Sequence, residues 1–169
     1  MKNITIRQEN KKDLDNIRQV IFAAFKNHPH SNQTEHLLVD KLREAGALPV
    51  SLVAKVDGKV VGHIAFSPVA IQGEPSNWYG LAPVSVHPAY QRQGIGGMLI
   101  QAGLAELHKL GAAGCVLLGE PAYYGRFGFA PVDGLTLAGV PPEYFLALPF
   151  SEENVQGEVA YHKAFEVCG

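Results

Sequence analysis

Ile4 and Ile6 alternate with Thr5 and Arg7, the period-2 pattern of a half-buried strand. Leu14, Ile17, Ile21, Ala24 and Phe25 then recur at helical spacing behind Asn10 and Asp13, which stand three apart as a capping pair, so a helix with one core face is predicted. The polar stretch KNHPHSNQ breaks that period, and Leu38, Leu42 and Ala45 resume it until Gly46 ends a second helix. From Pro49 to Ile71 the pattern turns to β, with two aliphatic runs flanking Asp57-Gly58, the dipeptide that a type I′ hairpin turn favours. A third strand is expected from about Trp78 to Val86. Pro83 lacks the N–H of a central ladder, so it predicts a bulge or a strand with one side unpaired. Met98 to Leu110 reads as a helix closed by Gly111, Cys115 to Leu118 as a short buried strand, and Pro121 as the first residue of a short helix. Pro141-Pro142, the aromatic piece YFLALPF and a final candidate strand from Val155 to Phe165 complete the chain. Strands with helices inserted between them give a mixed α+β fold built on one central sheet.

The chain has 169 residues, 47% hydrophobic, which fits one domain over 1–169. Fourteen basic residues against sixteen acidic ones leave a formal charge of −2, so there is no strong positive field to gather nucleic acid. No apolar run approaches the roughly 20 residues of a membrane span. The opening MKNITIRQEN lacks a signal-peptide apolar block, so the cytoplasm is the expected location. Cys115 and Cys168 are too few and too far apart for a disulfide framework or a zinc element, and read as thiols. His28-Pro29-His30 with His36 is the densest histidine cluster. It reads as solvated, and no metal is expected. GxSxG is absent, which removes a nucleophile elbow.

The most informative string is VSVHPAYQRQGIGGMLI, residues 84 to 100, which joins a strand to a helix through Gly94, Gly96 and Gly97. Glycines allow positive φ and close approach of a ligand, and a helix start offers unpaired N–H groups and a partial positive charge. That combination suits an anion. Gly97-Met98 stands where a Walker loop needs Lys-Ser/Thr, and Leu99 stands where a dinucleotide fingerprint needs its third Gly or Ala. Gln91-x-x-Gly94-x-Gly96 resembles the pyrophosphate-binding motif of the GNAT N-acetyltransferase superfamily. Downstream, Tyr123-Tyr124-Gly125-Arg126-Phe127-Gly128-Phe129 resembles the aromatic-Tyr-x-(Lys/Arg)-x-Gly-Phe element that the same superfamily carries after its next strand. With LLGEPAYYGRFGF, PPEYFLALPF and GEVAYHKAF, the likeness covers nearly the whole chain and points to a little-characterised bacterial branch of predicted acetyltransferases.

That resemblance implies a GNAT-like central sheet, mostly antiparallel, splayed at the cofactor site and flanked by helices, with a C-terminal extension from about residue 144 to 169 completing it. It implies direct transfer of an acetyl group from acetyl-CoA to a primary amine, either a small molecule or a peptide. The pantetheine arm would lie along Val84 and Val86, with a main-chain N–H near Val84 polarising the acetyl carbonyl. The pyrophosphate would rest on the amides of Gln93, Gly94, Ile95, Gly96 and Gly97, helped by Gln91 and Arg92. Tyr124 matches the tyrosine that protonates the departing thiolate, while Tyr123 reads as packing and Arg126 as solvated or locally paired. Glu120 is the candidate base. Glu35, His36, His63 and Ser67 are candidates for the acceptor pocket. Relatives that pair through their late strands leave a homodimer open. An acyl-CoA-binding sensor without turnover would share Gly94 and Gly96 but not need Tyr124, and a plain interaction domain would need neither.

Overall fold

The computed structural model describes residues 3–29, 31–152 and 155–168. Strand β1 (Ile4–Gln8) leads through a 3-10 turn, Lys11–Asp13, into helix α1 (Leu14–Phe25). The expected capping pair closes this entry: Asn10 Oδ1 accepts from the Lys12 N–H at 2.9 Å, and Asp13 Oδ2 accepts from the Asn10 N–H at 2.8 Å. Both terminal nitrogens of Arg7 also donate to Asp13, at 2.7 and 3.0 Å. These bonds hold the Asp13 carboxyl below the usual carboxylate range against the opposing effect of its burial. Helix α2 (Glu35–Glu44) follows the polar loop, and Gly46 leaves it at φ +68°.

Strands β2 (Val50–Val56) and β3 (Lys59–Ile71) form the expected hairpin. Asp57 and Gly58 supply the two positive φ values, +50° and +82°, that its turn requires. A second two-residue turn, Gln72-Gly73 at φ +55° and +74°, joins β3 directly to β4 (Glu74–Val86), which starts at Glu74 instead of Trp78. Ile64 faces Val84 and Phe66 faces Leu81, so Ala82 and Pro83 together oppose Ala65. The irregularity predicted from Pro83 is therefore a bulge in β4. Helix α3 (Ile95–Lys109), β5 (Gly114–Leu118), α4 (Pro121–Tyr124), β6 (Leu135–Leu137), β7 (Phe145–Pro149) and β8 (Gly157–Ala160) complete the order.

All eight strands belong to one mixed sheet, β1-β2-β3-β4-β5-β7 along its main path, antiparallel except where β4 meets β5. β8 pairs antiparallel with the end of β3 and parallel with β6. The last strand is shorter than the predicted Val155–Phe165, spanning Gly157–Ala160 and meeting β3 at the pairs Ile71/Val159 and Ala70/Ala160. His162 Nδ1 then accepts from the Ala164 N–H at 3.0 Å and turns the chain into a 3-10 segment, Lys163–Cys168.

Helix α3 covers one face of the sheet, burying Leu99, Ile100 and Leu107 against Ile64, Phe66 and Leu81. Each such side chain contributes about 1.5–3 kcal/mol. A Cβ on Gly103 would fall 2.1 Å from the Phe66 ring, so the missing side chain lets strand and helix close. On the other face, Ile17, Val20 and Ile21 of α1 pack on Val53, Val60 and Ala65, while Leu38 and Leu42 of α2 meet Ala164 in the tail.

Candidate functional site

β4 and β5 pair only over Trp78–Gly80 and Gly114–Val116, then part. Beyond Gly80 the β5-facing edge of β4 has no strand on it. The direction of its groups follows from one bond. The His87 N–H donates to the Val61 carbonyl at 2.8 Å in register with the pairs Val86/Gly62 and Ser85/His63. Hydrogen-bonded and non-bonded pairs alternate along an antiparallel ladder, so Ser85 bonds to β3 while the main-chain groups of Val84 and Val86 face the gap. The Gln91 side-chain amide donates to the Val86 carbonyl at 3.1 Å from that open side. This leaves the Val84 N–H and C=O and the Val86 N–H directed into the gap.

A short 3-10 turn, Pro88–Tyr90, carries the chain from β4 to the glycine loop. Arg92 at φ +65° and Gly94 at φ +82° bend it, and Gly94 caps α3 in the left-handed region that its missing Cβ makes accessible. The first bond of the helical ladder is Met98 N–H to Gly94 O at 3.1 Å, so the amides of Ile95, Gly96 and Gly97 precede it and point out of the helix start. A cleft of about 580 Å³ opens there, with Val84, Val86, Gln91, Arg92, Gly94, Ile95, Gly96 and Gly97 among its lining residues. Ile95 is 1% exposed, so what it offers the cleft is main chain. Gln93 lies exposed on the loop and does not line the cleft.

Tyr123 and Arg126 form the facing wall, with Tyr90 at its side. The Tyr123 hydroxyl reaches to 3.5 Å from where a Gly96 Cβ would stand. Tyr124 packs behind it, ring edge against Tyr123 at 4.9 Å and against Phe129 at 6.3 Å, with its ring over Gly119. Burial first, and the neighbouring Tyr123 second, push its phenol up to about 12, so it stays protonated throughout the physiological range. The residue read as packing therefore lines the cleft, and the residue read as the acid stands one layer deeper. Glu120 caps α4 with its main chain and has an exposed side chain that makes no capping bond.

The remaining expected site residues are scattered. Glu35 accepts from the Ser31 hydroxyl at 2.7 Å, and His36 meets Phe22 edge-on at 5.8 Å. His63 and Ser67 have no exposed surface, so neither is open to an acceptor in this fold. His63 instead belongs to a polar chain under α1. Its Nε2 lies 2.8 Å from Ser51 Oγ, Ser51 Oγ hydrogen-bonds Glu9 Oε1, and Arg43 donates to both Glu9 oxygens at 2.8 Å. Burial pushes the His63 imidazole down to about 4. His30 lies outside the described residues, and among the described residues no three His, Cys, Asp or Glu side chains gather as metal ligands. Cys115 is a buried free thiol held protonated by its apolar surroundings, and Cys168 is a half-buried one. No helix among the described residues is long and apolar enough to cross a membrane.

Comparison with known proteins agrees with this geometry. The family model described as acetyltransferase (GNAT) family matches residues 12–129. YhbS of Escherichia coli K12, an uncharacterized N-acetyltransferase, is 48% identical over 99 residues, 58% of this chain and 59% of that protein, so the sequence match spans about three fifths of the relative. YjhQ of the same strain, also an uncharacterized N-acetyltransferase, is 35% identical over 154 residues, 90% of this chain and 80% of that one. Among solved structures, a GNAT family acetyltransferase from Brucella melitensis in complex with acetyl-CoA superposes with a TM-score of 0.87 at 53% identity, covering 96% of this chain and 98% of the other. E. coli YhbS in complex with CoA superposes with a TM-score of 0.89 at 36% identity, covering 98% and 93%.

Proposed function

Because the chain belongs to the GNAT acetyltransferase family, we propose that it is an N-acetyltransferase moving an acetyl group from acetyl-CoA directly to a primary amine. The observation that carries this reading is the meeting, in one cleft, of an open strand edge at Val84–Val86 and a helix start with free amides at Ile95–Gly97. The two features fit the two halves of the cofactor: an extended amide-bearing arm can continue the sheet along β4, and linked phosphates can sit on the amides of α3. Acetyl-CoA would supply an activated acyl carbon.

The chain's own groups then divide the work. The Val84 N–H points where a carbonyl oxygen gathering negative charge could accept from it. Tyr124, protonated and close behind the cleft wall, donates a proton towards the leaving sulfur. An alkylammonium with a reference pKa of about 10.4 is neutral less than about one time in a thousand at pH 7, so its proton must be taken up. Glu120, at the start of α4 where β5 has left β4, is the carboxylate we assign to that task through water. Glu35 and His36 at the start of α2 are the remaining candidates for the acceptor side, although neither lines the cleft.

Calorimetric titration with acetyl-CoA, followed by thiol release with a panel of primary amines, tests the assignment. We expect saturable binding, stabilisation of about 2.7 kcal/mol at a hundred times the dissociation constant, and amine-dependent turnover. Tyr124→Phe should leave the dissociation constant unchanged and lower kcat, and Glu120→Gln should lower kcat most where the amine is charged. Binding without amine-dependent thiol release for any acceptor would overturn the transferase reading.

A further inference from the structure

The chain contains five arginines. Arg7 is paired with Asp13, Arg18 with Asp40, and Arg43 with both Glu9 and Asp40. Arg92 and Arg126 make no ion pair among the described residues, and these are the two that line the cleft. No Asp or Glu side chain lines it with them. In a chain of net charge −2, every other arginine has a carboxylate partner, while these two guanidinium groups flank the helix start unopposed among the described residues.

Arg126 is held in a particular way. Its guanidinium carbon stands 4.9 Å from the centre of the Tyr123 ring. Such a cation–π contact holds the group over the ring without an acceptor atom, and no carboxylate among the described residues takes its N–H donors. The same Tyr123 extends its hydroxyl across to Gly96, so the platform under Arg126 spans the cleft from α4 to the first turn of α3. A guanidinium without a carboxylate partner, placed over an aromatic ring beside a helix start with free amides, is suited to a phosphate oxygen.

We propose that Arg126, supported by Tyr123, is a phosphate contact on the wall opposite the glycine loop, so that the nucleotide end of the cofactor is held from both sides. The inference rests on the acetyl-CoA reading. It gives Arg126 and Tyr123 a part in binding where the sequence suggested solvation or local pairing for the one and packing for the other. The unopposed charge also draws a polyanion towards a protein whose overall charge repels it.

The test is calorimetry of the full chain with acetyl-CoA and with its 3′-dephospho form, at two salt concentrations. Arg126→Ala should weaken acetyl-CoA binding about tenfold and flatten its salt dependence, while leaving the melting temperature of the unliganded protein unchanged. Arg126→Lys should fall between, since it keeps the charge without the planar fork. Tyr123→Phe keeps the platform and should bind like the parent, whereas Tyr123→Leu should lose part of the affinity. Arg18→Ala, which removes an arginine away from the cleft, should change nothing in binding. An equal loss with both cofactors places the contact at the pyrophosphate, and a loss confined to acetyl-CoA places it at the 3′-phosphate. Arg126→Ala with parental affinity for both overturns the proposal. A parent that binds neither cofactor would instead overturn the acetyl-CoA reading itself.

Discussion

The two faces of the β3–β4 pair treat polar groups in opposite ways. Under α1, His63 Nε2, Ser51, Glu9 and Arg43 are linked in one polar chain, while His63 Nδ1 is buried without a partner among the described residues. Burial pushes the Glu9 carboxyl up, but the hydrogen bonds from Arg43 and Ser51 hold it below its usual range; as the carboxylate accepts the Ser51 O–H, the Ser51 oxygen is left to accept from His63 Nε2–H. Across the strands, the cleft collects donors with no internal partner: the α3 amides, the inward edge of β4, Arg92 and Arg126. The internal chain is spent on holding strands together, whereas the cleft's donors are kept for something from outside. A buried polar residue is therefore poor evidence of a site here, and an unanswered donor at an open surface is good evidence.

Substitutions that load one side and spare the other sharpen this contrast. The largest effect is expected for Gly96→Glu, which places a long anionic side chain against the Tyr123 hydroxyl and the phosphate position. Acetyl-CoA affinity should fall a hundredfold or more, about 3 kcal/mol, with the melting temperature unchanged. Gly96→Ala, whose Cβ meets nothing closer than 3.5 Å, should bind nearly as the parent does. Next comes the pH response of stability. The unfolded His63 titrates near 6.5 and the folded one near 4, so the unfolded chain binds more protons between those values. Stability should therefore drop as pH falls from about 6.5 towards 4, by about 2–3 kcal/mol. Chemical denaturation of His63→Gln across that range should give a flatter profile, and an unchanged slope would remove His63 as its source.

Ser51→Ala interrupts the internal chain between Glu9 and His63. It should cost about 1–3 kcal/mol in unfolding free energy and leave acetyl-CoA affinity untouched; a change in affinity would show that the two faces are not separate. The smallest effect is expected for Gly94→Ala. A Cβ there meets no atom within 4 Å, so only the positive φ matters, at about 1 kcal/mol. Differential scanning calorimetry with and without acetyl-CoA reads both terms.

Much of this was legible because local chemistry forces local geometry. Asp57-Gly58, Asn10 with Asp13 and Pro121 each specify a conformation without tertiary help, and the structure has them as expected. Glutamine is an unusual first residue for the turn at Gln72-Gly73, so the sequence does not signal it, and β4 begins at Glu74, four residues ahead of the expected Trp78. Helix α3 starts at Ile95 and not Met98, since the glycines that weaken helix propensity sit inside its first turn. Tyr123 and Tyr124 are neighbours on a four-residue helix, and no periodicity that short tells which one faces a cleft. His63 and Ser67 stand four apart on one face of β3, and only the tertiary packing reveals that this face is closed. The unpaired state of Arg92 and Arg126 depends on where every carboxylate lies, which a linear reading cannot supply.

The open seam along Val84–Val86 carries a hazard as well as an opportunity. Extended main chain with unspent donors and acceptors is a template for any peptide that can lie straight, including the same segment of another copy. Pro83, without an N–H to offer, cuts that template short at one end, and Gln91 already occupies the Val86 carbonyl at the other. Whatever molecule fills the seam thus also shields the protein from sticking to itself, and a cell short of that molecule would hold a more aggregation-prone chain.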